Sequence, residues 1–214
     1  MGPLRYADRR DAGRQLASAV EHLRGRKPVV IGLPRGGVVV AAEVARALDA
    51  PLDVLVVRKL GAPGQPELGL GAIAEGGVVL LNKRLMRQVR VSKEQLQGTI
   101  DRENDEMKRR LDLYRGTRQP IDVTGRTVIL VDDGLATGST ARAALGALQH
   151  LGAGEVILAV PVGAPSTVQE LESLADEVVC LSAPRMLMSV GQHYDDFTQT
   201  SDDEVVALMA DLSR

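Results

Sequence analysis

The stretch that decides the fold is Thr127-Val-Ile-Leu-Val-Asp-Asp-Gly-Leu-Ala-Thr-Gly-Ser-Thr-Ala-Arg142. Its apolar run, Val128 to Val131, is rich in β-branched residues and predicts a strand buried on both faces, as in a parallel sheet. Asp132 and Asp133 follow directly, and a glycine-containing loop then leads into a helical pattern. In an open α/β sheet, ligands bind where the carboxyl end of a strand meets the N-terminus of a helix.

The residues of this loop suit a phosphate. A helix N-terminus offers free N–H groups and the positive end of the helix dipole. Gly138 allows close approach of the backbone, and the neighbouring hydroxyl groups add hydrogen-bond donors. The two carboxylates would repel a phosphate, but they can accept hydrogen bonds from a sugar diol or help to hold a hydrated metal ion. The pattern therefore indicates a sugar phosphate as ligand; the alternative is an ordinary turn whose hydroxyl groups cap the helix.

The same stretch resembles the phosphoribosyl diphosphate (PRPP) motif of the type I phosphoribosyltransferases. In that motif an apolar strand, two acids and three further residues precede Thr-Gly-x-Ser/Thr, and residues 128–140 match it in full. The resemblance implies that Asp132 and Asp133 are catalytic residues that bind the ribose hydroxyls and help to hold Mg²⁺ indirectly, through PRPP or water. It also implies that the 5′-phosphate is bound by Ala136, Thr137, Gly138, Ser139 and Thr140.

A second strand-to-helix corner follows Val29 to Leu33, which predict a buried strand. The turn that follows, Pro34-Arg35-Gly36-Gly37, offers free N–H groups and a cation. In the resembled family the loop after the first core strand holds the diphosphate of PRPP. The resemblance therefore implies a diphosphate-binding role for Arg35, Gly36 and Gly37, and the alternative is a tight turn with a surface arginine.

The next predicted strand, Leu52 to Val57, ends in two cations. At the carboxyl end of a strand in the same sheet, Arg58 and Lys59 would face the same crevice. Arginine can clamp a diphosphate with two hydrogen bonds and lysine can add a point charge, so both are candidate diphosphate ligands. Lys59 is also a candidate catalytic residue, and the alternative for the pair is a solvated strand end.

Residues 61–77 are rich in glycine and proline and predict a mobile loop. Within them, Gly69-x-Gly71-x-x-Ala74 matches a dinucleotide fingerprint, but no strand immediately precedes it and Gly76-Gly77 would interrupt a following helix, so we expect no dinucleotide site. The resembled family has a flexible flap at this place, which implies a flap over 61–81. Two acids on it are acid–base candidates or simply solvated side chains: Glu67 and Glu75.

Two segments extend beyond the minimal family core. A capping box, Ser92-x-x-Gln95, opens a long charged helix that runs to about Arg115, so residues 83–116 predict a helical insertion that packs on the body or on a second subunit. The tail, 184–214, holds two of the four aromatic residues. In the resembled family a variable hood near this edge selects the base, which makes Met186, Met188, Tyr194 and Phe197 candidates for base binding. The alternative is an apolar tail that anchors the last helix.

Composition limits the remaining classes. A chain of 214 residues with 44% hydrophobic residues can bury a core, and residues 1–214 are expected to form a single domain. The net charge of −2 and the four aromatic rings argue against nucleic acid as a partner. One cysteine, Cys180, excludes an internal disulfide framework, and no apolar run suits a signal peptide or a membrane span. We expect a cytoplasmic protein without a membrane partner.

These observations predict an α/β fold, a Rossmann-like parallel sheet of about five strands with helices on both faces, as in type I phosphoribosyltransferases. The expected function is Mg²⁺-dependent transfer of the phosphoribosyl group of PRPP to a nucleobase or similar nitrogen acceptor, with release of diphosphate. Hypoxanthine–guanine enzymes of the resembled family carry an extra acid where this chain has Ala136, so 6-oxopurines are not the expected acceptors. We expect a homo-oligomer. The alternative function is a regulatory protein that senses PRPP or a nucleotide without catalysis.

Overall fold

The computed structural model describes residues 5–89 and 91–212, without the side chains of residues 66 and 67. Short 3₁₀ turns cover Glu21–Arg26 and Val190–His193. In chain order the other elements are α1 (Arg9–Ala19), β1 (Val29–Gly32), α2 (Gly36–Leu48), β2 (Leu52–Val54), β3 (Val57–Ala62), β4 (Gln65–Ala74), β5 (Val78–Leu81), α3 (Lys83–Val89), α4 (Lys93–Arg115), β6 (Thr127–Val131), α5 (Ser139–His150), β7 (Glu155–Val162), α6 (Pro165–Leu171), β8 (Glu177–Ser182) and α7 (Asp202–Leu212).

The central sheet has the strand order β2-β1-β6-β7-β8, and all of its neighbouring strands are parallel. β1 and β6 are paired in register from Val29 with Val128 to Gly32 with Val131. Their carboxyl ends therefore lie side by side. This pairing places the turn after β1 next to the acid pair after β6, as the predicted fold requires.

Helices cover both faces of this sheet because residues along each strand alternate between two apolar clusters. On one side Val30 and Ile129 pack with α1, α2 and α7. On the other side Val128 and Leu130 pack with α5 and with Leu171 of α6. The predicted α/β architecture with about five parallel strands is confirmed.

The flap segment is a regular antiparallel sheet of three strands, β3-β4-β5. The prediction of a mobile loop over 61–77 is wrong, because β3 and β4 form a hairpin that turns at Gly64, where φ is 76°. The stretch Gly69–Ala74 lies inside β4 and is followed by β5, so it does not form the strand–turn–helix unit that a dinucleotide fingerprint needs. This small sheet packs on α5, where Leu80 reaches the backbone of Gly146.

The prediction of one strand from Leu52 to Val57 is also wrong at its C-terminal end. β2 stops at Val54, and Val57 already begins β3. Arg58 and Lys59 therefore lie in the flap hairpin and not at the carboxyl end of a core strand. The sequence pattern does not reveal the break between β2 and β3, because residues 52–57 are all buried or half-buried and almost all apolar. The chain also leaves the sheet without a glycine or proline.

The long charged helix predicted after the capping box forms as α4. Both hydrogen bonds of the capping box are present, from Gln95 N to Ser92 Oγ (3.2 Å) and from Ser92 N to Gln95 Oε1 (3.0 Å). The helix α4 packs on β3 and on α7. No helix in the described part of the chain has the length and apolar character needed to cross a membrane.

The last residue of α4 closes a buried ion cluster. Arg115 Nε donates to Asp53 Oδ1 at 2.8 Å, and its Nη2 donates to Val54 O at 2.7 Å. The same guanidinium pairs with Glu75 at the end of the flap strand β4. Only 8% of the Arg115 side chain is exposed, so one cation ties the insertion to the edge of the core sheet and to the base of the flap.

We predict that Arg115→Met destabilises the protein by about 3–5 kcal/mol, because it leaves the carboxylates of Asp53 and Glu75 buried without their cation. Denaturant-induced unfolding measures this difference. Arg109→Met is the matched control on the same helix: its exposed ion pair with Glu106 contributes little, so the unfolding midpoint should stay unchanged. Equal midpoints for the two variants would contradict the prediction.

Candidate active site

The centre of the candidate site is the contact between the turn after β1 and the acid pair after β6. Leu33 N donates to Val131 O at 2.9 Å and joins the two strand ends. A side chain at Gly37 would place its Cβ 2.8 Å from Val131 O and 2.9 Å from Asp132 Cα. Glycine is therefore needed here for the predicted diphosphate turn to lie against the acid pair. The peptide bond between Pro34 and Arg35 in this turn is cis.

The carboxyl group of Asp132 has a perturbed pKa. Burial, followed by the charge of Asp133, raises the pKa of Asp132 well above its ordinary value, while the N–H of Asp133 and the cation of Arg9 oppose the shift. The hydrogen bond from Asp133 N to Asp132 Oδ1 is 2.9 Å long. Perturbed carboxyl groups are typical of functional sites, since folding alone does not favour two acids side by side.

Asp133 is held by Arg9, a residue that the sequence did not single out. Arg9 Nε donates to Asp133 Oδ2 at 2.8 Å, and both side chains are largely buried. The two residues are 124 positions apart, so no local spacing could have revealed the pair. Its one sequence signal is the place of Arg9 directly after Asp8, which caps α1.

The candidate base-binding residues occupy two different environments. Tyr194 is buried, its ring lies 5.4 Å from that of Tyr6 and 4.9 Å from that of Phe197, and its hydroxyl donates to Asp133 O at 2.6 Å. Burial raises the pKa of Tyr194, which keeps this donor protonated. Met186 and Met188 are 80% and 77% exposed. The structure thus places Tyr194 and Phe197 beside the acid pair, and base binding by these residues stays a prediction.

The predicted phosphate loop is exposed to solvent on one side and contacts α6 on the other. Gly138 has a φ of 66° and caps α5, and a Cβ there would lie 2.5 Å from Thr167 Cγ2. Thr167 Oγ1 donates to Ala136 O at 2.8 Å, so α6 supports the loop. The exposed residues of the loop are Ala136, Thr137, Ser139 and Thr140.

A cavity of about 400 Å³ lies between this loop and the flap sheet. Its walls include the three hydroxyl residues of the loop together with Lys59 and Asn82. Lys59 is thus brought to the loop predicted for the 5′-phosphate, whereas Gly36 and Gly37 lie against the acid pair. The predicted diphosphate ligands are therefore divided between two sides of the site.

The other predicted site residues are engaged by the insertion and by α7. Arg58 donates to Glu103 Oε2 from Nε (3.0 Å) and Nη2 (2.8 Å). Arg35 Nη1 lies 3.9 Å from Asp202 Oδ1. Glu75 is bound by Arg115, and its Oε2 is buried without a hydrogen-bond partner. The side chain of Glu67 lies outside the described residues.

The acids present suit a metal ion that arrives with its ligand. Among the residues that the structure describes, no group of three or more His, Cys, Asp or Glu side chains could hold a metal ion. Asp132 and Asp133 supply two carboxylates at one edge. Mg²⁺ commonly binds through one or two carboxylates and the phosphates of a substrate, and it keeps several waters. The pair fits that indirect mode.

Comparison with known proteins identifies the class. The family described as "Phosphoribosyl transferase domain" matches residues 7–195, and the chain belongs to this family. The crystal structure of TT1426 from Thermus thermophilus is similar over 99% of this chain and 100% of that one, with a TM-score of 0.86 and 44% identity.

Two further relatives are similar in sequence. A Mycobacterium tuberculosis protein, provisionally named a phosphoribosyl transferase, is 51% identical over 204 residues, which are 95% of this chain and 46% of the relative. The chain thus spans about half the length of that relative. The bifunctional protein PyrR of Deinococcus radiodurans is 35% identical over 128 residues, 58% of this chain and 69% of its own. The predicted resemblance to the type I phosphoribosyltransferases is confirmed.

We predict that Asp132→Asn raises the melting temperature at neutral pH. Because the folded-state pKa of Asp132 is raised, its contribution to stability is fully present below the ordinary value of 3.8 and is lost as the pH rises through the folded value. Asparagine does not ionise, so the variant does not lose stability as the pH rises. Calorimetric melting of wild type and variant from below pH 3.8 to neutral pH measures the difference.

The control for this experiment is Asp122→Asn. Hydrogen bonds from Thr124 lower the pKa of the exposed Asp122 carboxyl and favour its charged form. Its replacement should therefore not raise the melting temperature. Parallel pH profiles for wild type and Asp132→Asn would refute the prediction.

Proposed function

We propose that this protein transfers the 5-phosphoribosyl group of PRPP to a nucleobase or similar nitrogen acceptor and releases diphosphate. The observation that carries the proposal is the acid pair at the end of β6, followed directly by an open glycine loop at the N-terminus of α5. The turn after β1 packs against the same acids. Sugar, 5′-phosphate and diphosphate would thus each meet a suitable surface within one crevice.

Binding far from the reacting carbon would position the substrate. The hydroxyl and N–H groups of residues 136–140 hold the 5′-phosphate, while Asp132 and Asp133 accept hydrogen bonds from the ribose hydroxyls. Such remote contacts convert binding energy into orientation of C1. Attack of the acceptor nitrogen on C1 then breaks the bond to the diphosphate oxygen.

Charge develops on the departing diphosphate and needs compensation. The 36–37 turn lies against the acid pair, and Lys59 lines the cavity from the flap. Arg35, which precedes this turn, is the further cation proposed for the diphosphate. Asp132 and Asp133 would help to hold Mg²⁺ indirectly, and the ion would supply positive charge to the departing diphosphate. Such positive groups act strongly when the flap and tail limit access of water.

The alternative function is a PRPP or nucleotide sensor without catalysis. One observation favours it: the flap groups Arg58 and Glu75 are bound in internal ion pairs with Glu103 and Arg115. A flap tied in this way would bind ligand without supplying acid–base groups. Product formation from PRPP and any base separates the two functions.

The expectation that the protein is a cytoplasmic homo-oligomer stays a prediction.

We predict metal-assisted binding of PRPP that depends on the acid pair. Calorimetric titration with PRPP should show tighter binding with Mg²⁺ than without it in the wild type, since the ion screens the diphosphate. The double variant Asp132→Asn/Asp133→Asn should lose this binding, because amides are weaker acceptors for the ribose hydroxyls. Folded wild type that does not bind PRPP would reject the proposed function.

We also predict poor use of hypoxanthine and guanine as acceptors. Ala136 offers no carboxylate near a purine ring, whereas the 6-oxopurine enzymes of the resembled family carry an acid there. A panel of bases incubated with PRPP and Mg²⁺, with nucleotide formation followed by chromatography, measures the preference. Rapid nucleotide formation from either 6-oxopurine would contradict this prediction and leave the transferase function itself intact.

A further inference from the structure

We propose that Arg9 is a positioning residue for the acid pair: its guanidinium fixes Oδ2 of Asp133 and leaves Oδ1 to recognise the ribose. This inference rests on the proposed function and deepens it. Arg9 acts through Asp133 and is not itself a catalytic residue. The same contact joins three segments that are far apart in sequence, namely the first turn of α1, the strand end after β6 and the tail.

The pair has the geometry of a fixed contact. Arg9 Nε and Asp133 Oδ2 are 2.8 Å apart, and the two side chains are 11% and 18% exposed. A charge-assisted hydrogen bond shielded in this way is stronger than one at the surface. Arg9 starts from a defined position because Asp8 Oδ1 accepts a hydrogen bond from Asp11 N at 2.7 Å and caps α1.

The tail holds the other side of the guanidinium. Arg9 Nη1 donates to Thr198 O at 2.8 Å, and its Cζ lies 3.8 Å from the centroid of the Phe197 ring. The tail is in turn paired with the start of the chain, through Tyr6 N to His193 O and Asp195 N to Tyr6 O, both at 2.8 Å. The guanidinium of Arg9 is therefore held on two sides, by Asp133 and by the tail.

The predicted diphosphate turn touches the same pair. A side chain at Gly36 would place its Cβ 2.0 Å from Asp133 Oδ2 and 2.6 Å from Arg9 Nε. The turn can pass here because residue 36 has no side chain. The position of the Arg9–Asp133 pair therefore also limits the position of the backbone predicted to bind diphosphate.

The cation also balances the charge of two adjacent acids. The charged and titratable groups around Asp133 are Arg9, Asp132 and the hydroxyl of Tyr194, with Asp196 near the far side of Arg9. Arg9 Nε is 2.8 Å from Asp133 Oδ2, so its removal would leave this oxygen without its cation and the carboxylate without a fixed orientation toward the ribose.

The test compares PRPP affinity, measured by calorimetry with Mg²⁺, in Arg9→Met, Arg9→Lys and Arg10→Met. Arg10 is the matched control because it lies on the same helix and makes its ion pairs with Glu43 and Glu204 at 3.5 and 3.4 Å. Arg9→Met should weaken binding about tenfold or more, as expected for loss of a charge-assisted hydrogen bond. Arg9→Lys should restore part of the affinity, and Arg10→Met should bind like wild type.

A second pair of variants covers the case in which Arg9→Met does not fold. Gly36→Ala disturbs the Arg9–Asp133 pair from the side of the turn, whereas Gly25→Ala adds the same methyl group where no atom lies within 4 Å. Gly36→Ala should weaken PRPP binding and Gly25→Ala should not. Wild-type affinity in Arg9→Met or, if that variant does not fold, wild-type affinity in Gly36→Ala, would overturn the proposal.

Failure of this inference can be separated from failure of the proposed function. If wild type does not bind PRPP, the proposed function is wrong and the positioning role falls with it. If wild type binds PRPP and Arg9→Met binds it equally well, the proposed function stands and the positioning role is overturned.

Discussion

The arrangement of the site depends on the pairing of β1 with β6 in the centre of the sheet. Because the strands are parallel and in register, their carboxyl ends meet, and whatever follows each strand must share the same space. An added Cβ at position 36 or 37 would lie only 2.0–2.9 Å from neighbouring atoms, so the turn can share this space only because both residues are glycine. The acid pair, the turn and the loop at α5 are thus consequences of one strand pairing.

Electrostatics then distinguishes the two acids. Asp132 is half-buried beside a like charge, whereas Asp133 has Arg9 as its partner. A protein selected for stability alone would not keep two adjacent carboxylates at a strand end, since replacing Asp132 should stabilise the fold. A ligand whose hydroxyl groups donate hydrogen bonds to both acids would offset this destabilisation of the fold.

The sequence predicted the parts that local chemistry determines. The strand β6, the loop 134–140 and the capping box of α4 each carry their own pattern, and the structure contains each of them. The end of β2 and the flap sheet were mispredicted because an unbroken apolar run hides a change of strand direction, and because glycines occur in hairpins as well as in mobile loops. Arg9 and Arg115 could not be found, since their partners lie far away in sequence and are chosen by packing.

The site is assembled from pieces spread over most of the chain: the first turn of α1, the turn after β1, the end of β6 and the tail at 194–198. During synthesis the earlier pieces leave the ribosome well before Phe197 and Thr198, which hold Arg9 in place. Domains generally form from the N-terminus onwards as they are made. A nascent chain could therefore build most of the sheet while its acid pair still lacks a fixed partner, and binding competence would come with the last segment to dock.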